Sequence, residues 1–294
     1  MEYIVDTDMG FDDFIAIYML IKNGIKIKGI TTSFGNTTVE NVTENVLSFL
    51  DMVGLDIPVY MGTPSPLGGD FVADPSFSGD KGMFGATFPK VNKKFFGQVS
   101  AKEEAVDFLI SACNKDTGII SLAPATNIAR ALKRKPDIEV GEVITSSGYF
   151  GINDVKERRM AWNMRMDPQA SKILYKSGLK IKAVGLDASG NFVDENFIDF
   201  KKNYNRTSLI GKMMDEAEKF IRGRSYRYFT LVSDALAVMP IINKESTEFI
   251  QGEIKFTNSM DDKFCILEER LGGRVEVAKE VDLDLFIWEL LRLM

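Results

Sequence analysis

YIVDTDMGFDD, residues 3–13, is the stretch of this sequence that decides its fold. Residues 3–6 have the composition of a short buried strand, and residues 12–22 carry apolar side chains at helical spacing. Gly10 lies between the two segments and is suited to a tight turn. The stretch therefore predicts a strand, a turn and a helix, which together begin a βαβ unit.

The same alternation continues along most of the chain. Further strands are predicted at residues 27–33, 58–61, 118–122, 142–146 and 181–186. Further helices are predicted at residues 39–53, 101–114, 127–135, 168–177, 208–223 and 284–294. Residues 62–100 have little periodicity, and we expect them to form a long irregular segment near the functional site.

The C-terminal part of the chain departs from this alternation. Strands are predicted in close succession at residues 249–257, 264–268 and 274–281, with Gly272 and Gly273 as a turn signal. We therefore predict an α/β fold with an open, Rossmann-like, mostly parallel sheet covered by helices and an antiparallel extension near the C-terminus. No repeat or linker divides the sequence, so we expect a single domain over residues 1–294.

The composition excludes several classes of function. None of the 294 residues is histidine, which removes Ser-His-Asp, Cys-His and His-metal chemistry together. The net charge of −6 argues against a nucleic-acid partner, and no apolar run reaches the roughly 18 residues that span a membrane. A strand that begins near residue 3 leaves no room for a signal peptide, so we expect a cytoplasmic protein. Cys113 and Cys265 are too isolated to indicate a disulfide framework or a zinc site.

Four carboxylates lie at the carboxyl end of the first strand, where open α/β sheets bind ligands. They belong to Asp6, Asp8, Asp12 and Asp13. Asp12 or Asp13 alone could simply cap the following helix or favour its dipole. Four neighbouring carboxylates would repel one another unless a cation neutralises them. Without histidine or paired cysteines, an all-oxygen site suits Ca²⁺ or Mg²⁺.

A phosphatase of the haloacid-dehalogenase type is an alternative, because those enzymes also open with a buried strand followed by Asp-x-Asp-x. Asp6 would then be the nucleophile that attacks phosphate. However, Met9 and Gly10 stand where Thr or Val is usual, and the pair Asp12 and Asp13 has no role in that chemistry.

Five stretches, in the same order along the chain, resemble the inosine-uridine preferring nucleoside hydrolase family. DTDMGFDD at residues 6–13 resembles the family's DxDPGxDD, with Met9 in place of the usual Pro. The other four are FGN at 34–36 against AGN, PATNIA at 124–129 against GPLTNIA, WNMRMDP at 162–168 against FNxxxDP, and SDALA at 233–237 against HDPLA. The resemblance implies a Ca²⁺-dependent hydrolase that cleaves the N-glycosidic bond of a ribonucleoside or related N-riboside to ribose and free base.

The resemblance also implies roles for individual residues. Asp8 would be both a ligand of the Ca²⁺ and the general base that activates water. The remaining protein ligands of the ion would be Asp13, Asp234 and the main-chain carbonyl of Leu122. The hydroxyls of the ribose would be bound by Asp12, Asn36 and Asn163.

Some candidate residues have an ordinary structural explanation. Trp162, Tyr226 and Tyr228 could stack on the base of the substrate, but aromatic side chains more often belong to the core or the surface. Thr126 and Asn127 are better explained as the start of a helix than as ligands.

Three departures from the family pattern affect the substrate. Ser233 stands where the family often has a histidine, which precedes the C-terminal aspartate and helps to protonate the leaving base. Ser78 stands in place of a second family histidine, in a loop. The Glu that commonly binds the ribose 5′-hydroxyl is Ala161. The alternative function is therefore a ribose- or nucleoside-binding protein of the same fold with weak or no turnover. In both cases the partner is a small molecule, and the resemblance implies a homo-oligomer, either a dimer or a tetramer.

Overall fold

The first five elements of the fold follow the predicted alternation. The computed structural model of the chain describes residues 1–88, 104–155, 158–222, 224 and 227–294. The elements are β1 (Glu2–Thr7), α1 (Phe11–Lys22), β2 (Ile27–Thr32), α2 (Val39–Val53) and β3 (Val59–Met61). Their boundaries lie at most one residue from the predicted ones, which confirms this part of the prediction.

Local sequence explains where α2 begins and ends. The Thr38 hydroxyl accepts a hydrogen bond from the main-chain N–H of Asn41 at 3.4 Å, which caps the first turn. The helix ends at Gly54, whose φ of +68° is a left-handed conformation that glycine adopts without a Cβ clash.

The rest of the described chain adds six strands and eleven helices. The strands are β4 (Thr117–Ser121), β5 (Glu142–Thr145), β6 (Ile181–Ala183), β7 (Thr247–Phe256), β8 (Cys265–Glu269) and β9 (Val275–Val281). The helices are α3 (Pro75–Ser78), α4 (Glu104–Ala112), α5 (Thr126–Arg134), α6 (Trp162–Met166), α7 (Pro168–Lys176), α8 (Leu186–Ser189), α9 (Asp194–Asn203), α10 (Leu209–Ile221), α11 (Ser233–Ala237), α12 (Met239–Ile242) and α13 (Leu283–Leu291).

All nine strands of the described residues join one sheet, in the order β3-β2-β1-β4-β5-β6-β9-β7-β8. The pairs from β3 to β9 are parallel, whereas β7 pairs antiparallel with both β9 and β8. This confirms a mostly parallel sheet with an antiparallel extension. Gly272 and Gly273 connect β8 to β9 without making a hairpin of them, because β7 lies between those two strands.

The two faces of the sheet are covered by separate hydrophobic clusters. Side chains alternate along β1, so that Val5 packs into one cluster and Ile4 into the other. Phe14 of α1 belongs to the first cluster, and Ile128 of α5 and Leu174 of α7 belong to the second. Because β1 is central and covered on both sides, its carboxyl end is held rigidly, which positions the residues that follow it.

Asn127 ties three parts of the sheet together at this end. Its Nδ2 donates hydrogen bonds to Asp6 Oδ1 at 2.8 Å and to the Thr32 carbonyl at 3.0 Å. Its Oδ1 accepts one from the main-chain N–H of Thr63 at 3.0 Å. The helix α5 begins at Thr126, one residue before the predicted bound, so Thr126 and Asn127 do lie at a helix start. The Asn127 side chain has an additional role in joining β1, β2 and the segment after β3.

The structure differs from the sequence prediction mainly in short elements. β6 ends at Ala183, three residues before its predicted end, since the chain turns into α8. The unpredicted helices α3, α6, α8, α11 and α12 each have five residues or fewer, too few for a periodic pattern. The unpredicted α9 buries only Phe197 and Phe200 among mostly polar residues. Residues 89–100 of the predicted irregular segment and the predicted start of the helix at 101–114 lie outside the described residues. No helix in the described ranges has both the length and the apolar character that crossing a membrane requires.

Candidate active site

The acidic residues lie where the order of the sheet reverses, between β1 and β4. Asp8 and Leu122 directly follow these strands, and the Leu122 N–H donates to the Asp6 carbonyl at 2.8 Å. This bond extends the pairing of the two strands to their ends. Ligands of open α/β sheets bind in the crevice at such a switch point.

The turn from β1 to α1 contains a residue in an uncommon conformation. Met9 has a φ of +22°, which for a residue with a side chain costs about 1–3 kcal/mol. Two hydrogen bonds hold it: its N–H donates to Thr7 Oγ1 at 3.0 Å, and its carbonyl accepts from Asn45 Nδ2 at 3.2 Å. Proline could not adopt this φ, because its ring fixes φ near −65°. Methionine can therefore adopt the conformation of this turn, whereas the proline that is usual in the family could not.

Asp13 is fixed by the turn that precedes it. Thr7 Oγ1 donates to Asp13 Oδ1 at 2.5 Å, and the Gly10 N–H donates to Asp13 Oδ2 at 2.9 Å. Asn36 Nδ2 lies 3.5 Å from the same Oδ2. Gly10 is required for this approach, because a Cβ on it would lie 2.3 Å from Asn36 Nδ2.

Asp8 is oriented by the loop after β2. Its Oδ2 accepts a hydrogen bond from the main-chain N–H of Asn36 at 2.7 Å. A Cβ on Gly35 would lie 2.0 Å from the same oxygen, so only glycine lets the loop come this close. Ser78 Oγ donates to the Asn36 carbonyl at 2.5 Å and so links the irregular segment to this loop.

Asp234 approaches from the other side of the site, on α11. Oxygens of Asp12, Asp13 and Asp234 all lie within 4.8 Å of one another. Ser233 Oγ donates to Asp12 Oδ2 at 2.7 Å. The structure thus brings residues of the first turn of α1 together with a residue more than 200 positions away in the sequence, as the motif order predicts.

Burial raises the pKa of each of these carboxyl groups. The pKa of Asp8 is well above its ordinary value because of burial first, and then because of the charges of Asp13 and Asp12. Burial and then Asp13 raise the pKa of Asp12 to about 7, although the hydrogen bond from Ser233 opposes this. Burial and then Asp12 hold the pKa of Asp234 well above its ordinary range. The cluster therefore concentrates more negative charge than a buried site holds easily.

The donor set fits a hard divalent cation. The clustered side chains offer only carboxylate oxygens, which are the ligands that Ca²⁺ prefers. In the ranges that the structure describes, no Lys or Arg forms an ion pair with Asp8, Asp12, Asp13 or Asp234. A cation at this point would supply the charge that the protein itself does not.

Asn163 and Leu122 meet beside the cluster. Asn163 Nδ2 donates to the Leu122 carbonyl at 2.5 Å and to the Ser146 carbonyl at 3.0 Å. A carbonyl oxygen has two lone pairs, so this bond leaves Leu122 able to contact an ion as well. The predicted ribose ligand and the predicted main-chain ligand of the ion are thus direct neighbours.

A cleft of about 760 Å³, counted with the solvent at its mouth, opens onto these residues. Predicted residues that line it are Asp8, Asp12, Asn36, Leu122, Trp162, Asn163 and Asp234. Trp162 stacks on Phe77, with their ring centroids 4.0 Å apart and the planes inclined by 5°. The aromatic part of the wall also includes Phe84 and Phe229, which no motif or spacing marks in the sequence.

One predicted aromatic residue, Tyr228, lies away from this wall. Tyr228 is not among the residues that line the cleft; its ring stacks on Phe197 of α9, with centroids 4.3 Å apart. Its neighbour Phe229 lines the cleft instead. Tyr226 lies outside the described residues.

The fold and the cleft together define an α/β protein with a small-molecule site at the carboxyl ends of its strands. A sequence model described as inosine-uridine preferring nucleoside hydrolase matches residues 3–287. The chain therefore belongs to the inosine-uridine preferring nucleoside hydrolase family, and it is a hydrolase that acts on N-ribosides.

Individual relatives agree with this assignment. The rice (Oryza sativa subsp. japonica) protein named "Probable uridine nucleosidase 2" is 30% identical over 264 residues, which cover 86% of this chain and 77% of the relative. A pyrimidine-specific ribonucleoside hydrolase of Escherichia coli is 29% identical over 196 residues, covering 65% of this chain and 61% of the relative. The structure of a purine-preferring ribonucleoside hydrolase from Gardnerella vaginalis superposes with a TM-score of 0.83 at 24% identity. The superposition covers 100% of this chain and 98% of that one, so the two proteins share one fold.

Proposed function

We propose that the chain hydrolyses the N-glycosidic bond of a ribonucleoside or related N-riboside to ribose and free base, with Ca²⁺ bound in the acidic cluster. The observation that carries this proposal is that three carboxylates and two amides line one cleft, namely Asp8, Asp12, Asp234, Asn36 and Asn163. An oxygen of Asp13 lies within 4.8 Å of oxygens of Asp12 and Asp234. Hydrolysis of this bond passes through an oxocarbenium-like state, which needs an activated water on one face of the sugar and negative charge nearby. The site supplies a base and several fixed carboxylates.

Ca²⁺ would be held by Asp8, Asp13, Asp234 and the Leu122 carbonyl, and it would supply Lewis-acid activation of water and an anchor for the ribose. Asp12 stands close enough to Asp13 and Asp234 to contact the same ion or a hydroxyl next to it. We assign it to the ribose hydroxyls, together with Asn36 and Asn163.

Asp8 would act as the general base. Its carboxylate lines the cleft, and the Asn36 N–H donates to one oxygen at 2.7 Å, which holds the group in one orientation. Two carboxylate oxygens have about four lone-pair sites, so the group can contact the ion and still accept a proton. As the water loses this proton, its oxygen bonds to the anomeric carbon of the ribose. The bond from that carbon to the base nitrogen breaks, and its electron pair leaves with the base, which then takes up a proton.

The leaving base has no imidazole to protonate it. Ser233 donates its hydroxyl proton to Asp12, and Ser78 donates its own to the Asn36 carbonyl, so both serines act within the protein scaffold. A serine hydroxyl is also a poor acid near neutral pH. The enzyme should therefore depend on how well the base leaves unaided.

Release of ribose from a panel of uridine, cytidine, inosine and adenosine, with calcium and with chelator, tests this function. Uridine is the first substrate to try, because the rice relative is named a uridine nucleosidase and the bacterial one is pyrimidine-specific. Calcium-dependent release of ribose would support the proposal. Tight binding of a nucleoside without any release would instead favour the binding protein.

We also propose a cytoplasmic location and a homo-oligomeric state for this enzyme. A cytoplasmic location agrees with the two cysteines, Cys113 and Cys265, which are both free. A dimer or tetramer is implied by the family resemblance, and light scattering on the purified protein would measure it.

A further inference from the structure

Among the described residues, two arginines at the mouth of the cleft have no partner of opposite charge. Arg159 and Arg165 line the same cleft as Asp8 and Asp234, and both side chains are exposed there. Within the described part of the chain, neither guanidinium forms an ion pair or donates a hydrogen bond. The neighbouring Arg158 differs from them, since it pairs with Asp154 and does not line the cleft.

The guanidinium groups of both arginines lie over aromatic rings of the cleft wall. The guanidinium carbon of Arg165 lies 4.6 Å from the ring centroid of Trp162, and that of Arg159 lies 6.0 Å from the ring centroid of Phe229. A guanidinium that rests on a ring keeps its N–H edges available, and these edges match the oxygens of a phosphate or carboxylate. The two side chains are therefore placed for an anion.

The charges of the two arginines also act on each other. Burial first, and then the charge of Arg159, lower the pKa of Arg165. Like charges repel each other, and an anion bound by both arginines would relieve the repulsion. The net charge of the chain is −6, so carboxylates are more numerous than basic side chains. The two arginines nevertheless both line the cleft without an ion pair to any carboxylate that the structure describes.

We propose that Arg159 and Arg165 bind an anionic substituent of the substrate, a phosphate or a carboxylate, so that the preferred substrate is a charged riboside rather than a neutral nucleoside. The segment between them supports this placement. Met160 and Ala161 line the cleft with uncharged side chains, next to the predicted ribose ligand Asn163. An anion held by the arginines thus meets no carboxylate on this segment. The inference rests on the proposed N-riboside hydrolysis.

The anion could be a phosphate on the ribose or a carboxylate on the base, and fragments that cannot be hydrolysed distinguish the two. Calorimetry in calcium buffer would compare ribose with ribose 5-phosphate, and uracil with uracil 6-carboxylate. At least one anionic fragment should bind about tenfold tighter than its neutral counterpart, because each exposed charge pair contributes a few-fold. The preference should weaken as added salt screens the charges.

Variants test whether the arginines are responsible. Arg159→Gln and Arg165→Gln should each reduce the preference, and the double variant should abolish it, while the neutral fragments bind as before. Arg165→Lys should keep part of it, since the charge remains. Arg158→Gln is the matched control and should leave the preference unchanged. Equal binding of charged and neutral fragments, or a preference that survives in the double variant, would overturn the inference.

Kinetics separate this inference from the proposed function. Uridine, its 5′-monophosphate and its 6-carboxylate would be compared by kcat/KM, and a higher value for a charged riboside supports the inference. If the fragments show the arginine-dependent preference but no riboside releases ribose, the hydrolysis fails and the anion site stands. If all three ribosides are cleaved with equal kcat/KM, the hydrolysis stands and the preference for a charged substrate is wrong.

Discussion

Asn127→Ala should destabilise the protein through the loss of one buried amide. The Asn127 side chain donates to Asp6 and to the Thr32 carbonyl and accepts from the Thr63 N–H, at 2.8, 3.0 and 3.0 Å. It is fully buried, so no solvent is at hand to replace these bonds. The variant therefore takes the acceptor from the Thr63 N–H and one donor from each of Asp6 and the Thr32 carbonyl. Asp6 Oδ1 keeps the hydrogen bond from Thr31 Oγ1 at 2.6 Å.

The contacts give the size of the effect. An unpaired buried N–H such as that of Thr63 costs about 1–3 kcal/mol. The bond to Asp6 is of the stronger kind, about 1.5–3 kcal/mol, when that group is ionised. Burial raises the pKa of Asp6 to about 6, and the hydrogen bonds from Asn127 and Thr31 oppose this shift. Because such terms are not fully additive, we expect a loss of about 3–5 kcal/mol in the free energy of unfolding.

Urea denaturation at a fixed calcium concentration would measure this change. For a protein of this size each kcal/mol shifts the Tm by roughly 2 °C, so the Tm should fall by about 6–10 °C. Asn203→Ala is the control, since Asn203 is exposed and its side chain donates to the Asp199 carbonyl one turn earlier. This variant should stay within about 0.5 kcal/mol of wild type. A loss below 1 kcal/mol for Asn127→Ala, with an unchanged m-value, would refute the idea that this amide joins the strand ends.

Three further predictions concern the site. Calcium at about one hundred times its Kd should stabilise the wild type by about 2.7 kcal/mol, and Asp234→Asn should lose most of this gain; equal Tm values in calcium and in chelator would contradict the metal site. Asp8→Asn should lower kcat by about 10²–10⁴-fold, whereas Asp12→Ala should mainly raise KM. Near-normal turnover by the Asp8 variant would show that another group is the base. p-Nitrophenyl riboside should be cleaved much faster than uridine or inosine, and Ser233→His should narrow the gap; comparable rates in the wild type would mean that another group already protonates the base.

Much of the fold could be predicted because the pattern is strong where burial is complete. β1 is buried after its first residue, and α2 has its predicted bounds because a cap at Thr38 and a glycine at Gly54 mark both ends. The strand order could not be predicted from spacing, because pairing across the sheet depends on contacts between distant residues. The position of β7 between β9 and β8 is an example, since Gly272 and Gly273 suggested a turn between adjacent strands.

The acidic part of the site could be predicted because its residues are contiguous in motifs. Asp8, Asp12 and Asp13 follow one strand, and Asp234 enters through the order of the motifs along the chain. The aromatic wall could not be predicted in the same way. Phe77 sits on a four-residue helix in an irregular segment, and neither its spacing nor its neighbours distinguish it from any surface aromatic.

The buried carboxylates tie the stability of this fold to its function. Burial raises the pKa values of Asp8, Asp12 and Asp234, which means that in their charged forms these groups oppose folding near neutral pH. Met9 adds a strained turn at the same point. Contacts from rigid neighbours offset these costs in part, since hydrogen bonds from Thr7, Gly10 and the loop after β2 hold the carboxylates. A bound cation would offset the remaining repulsion, so the ion that we propose for the activation of water should also stabilise the fold. If Ca²⁺ binds as proposed, its removal by a chelator should lower the free energy of unfolding.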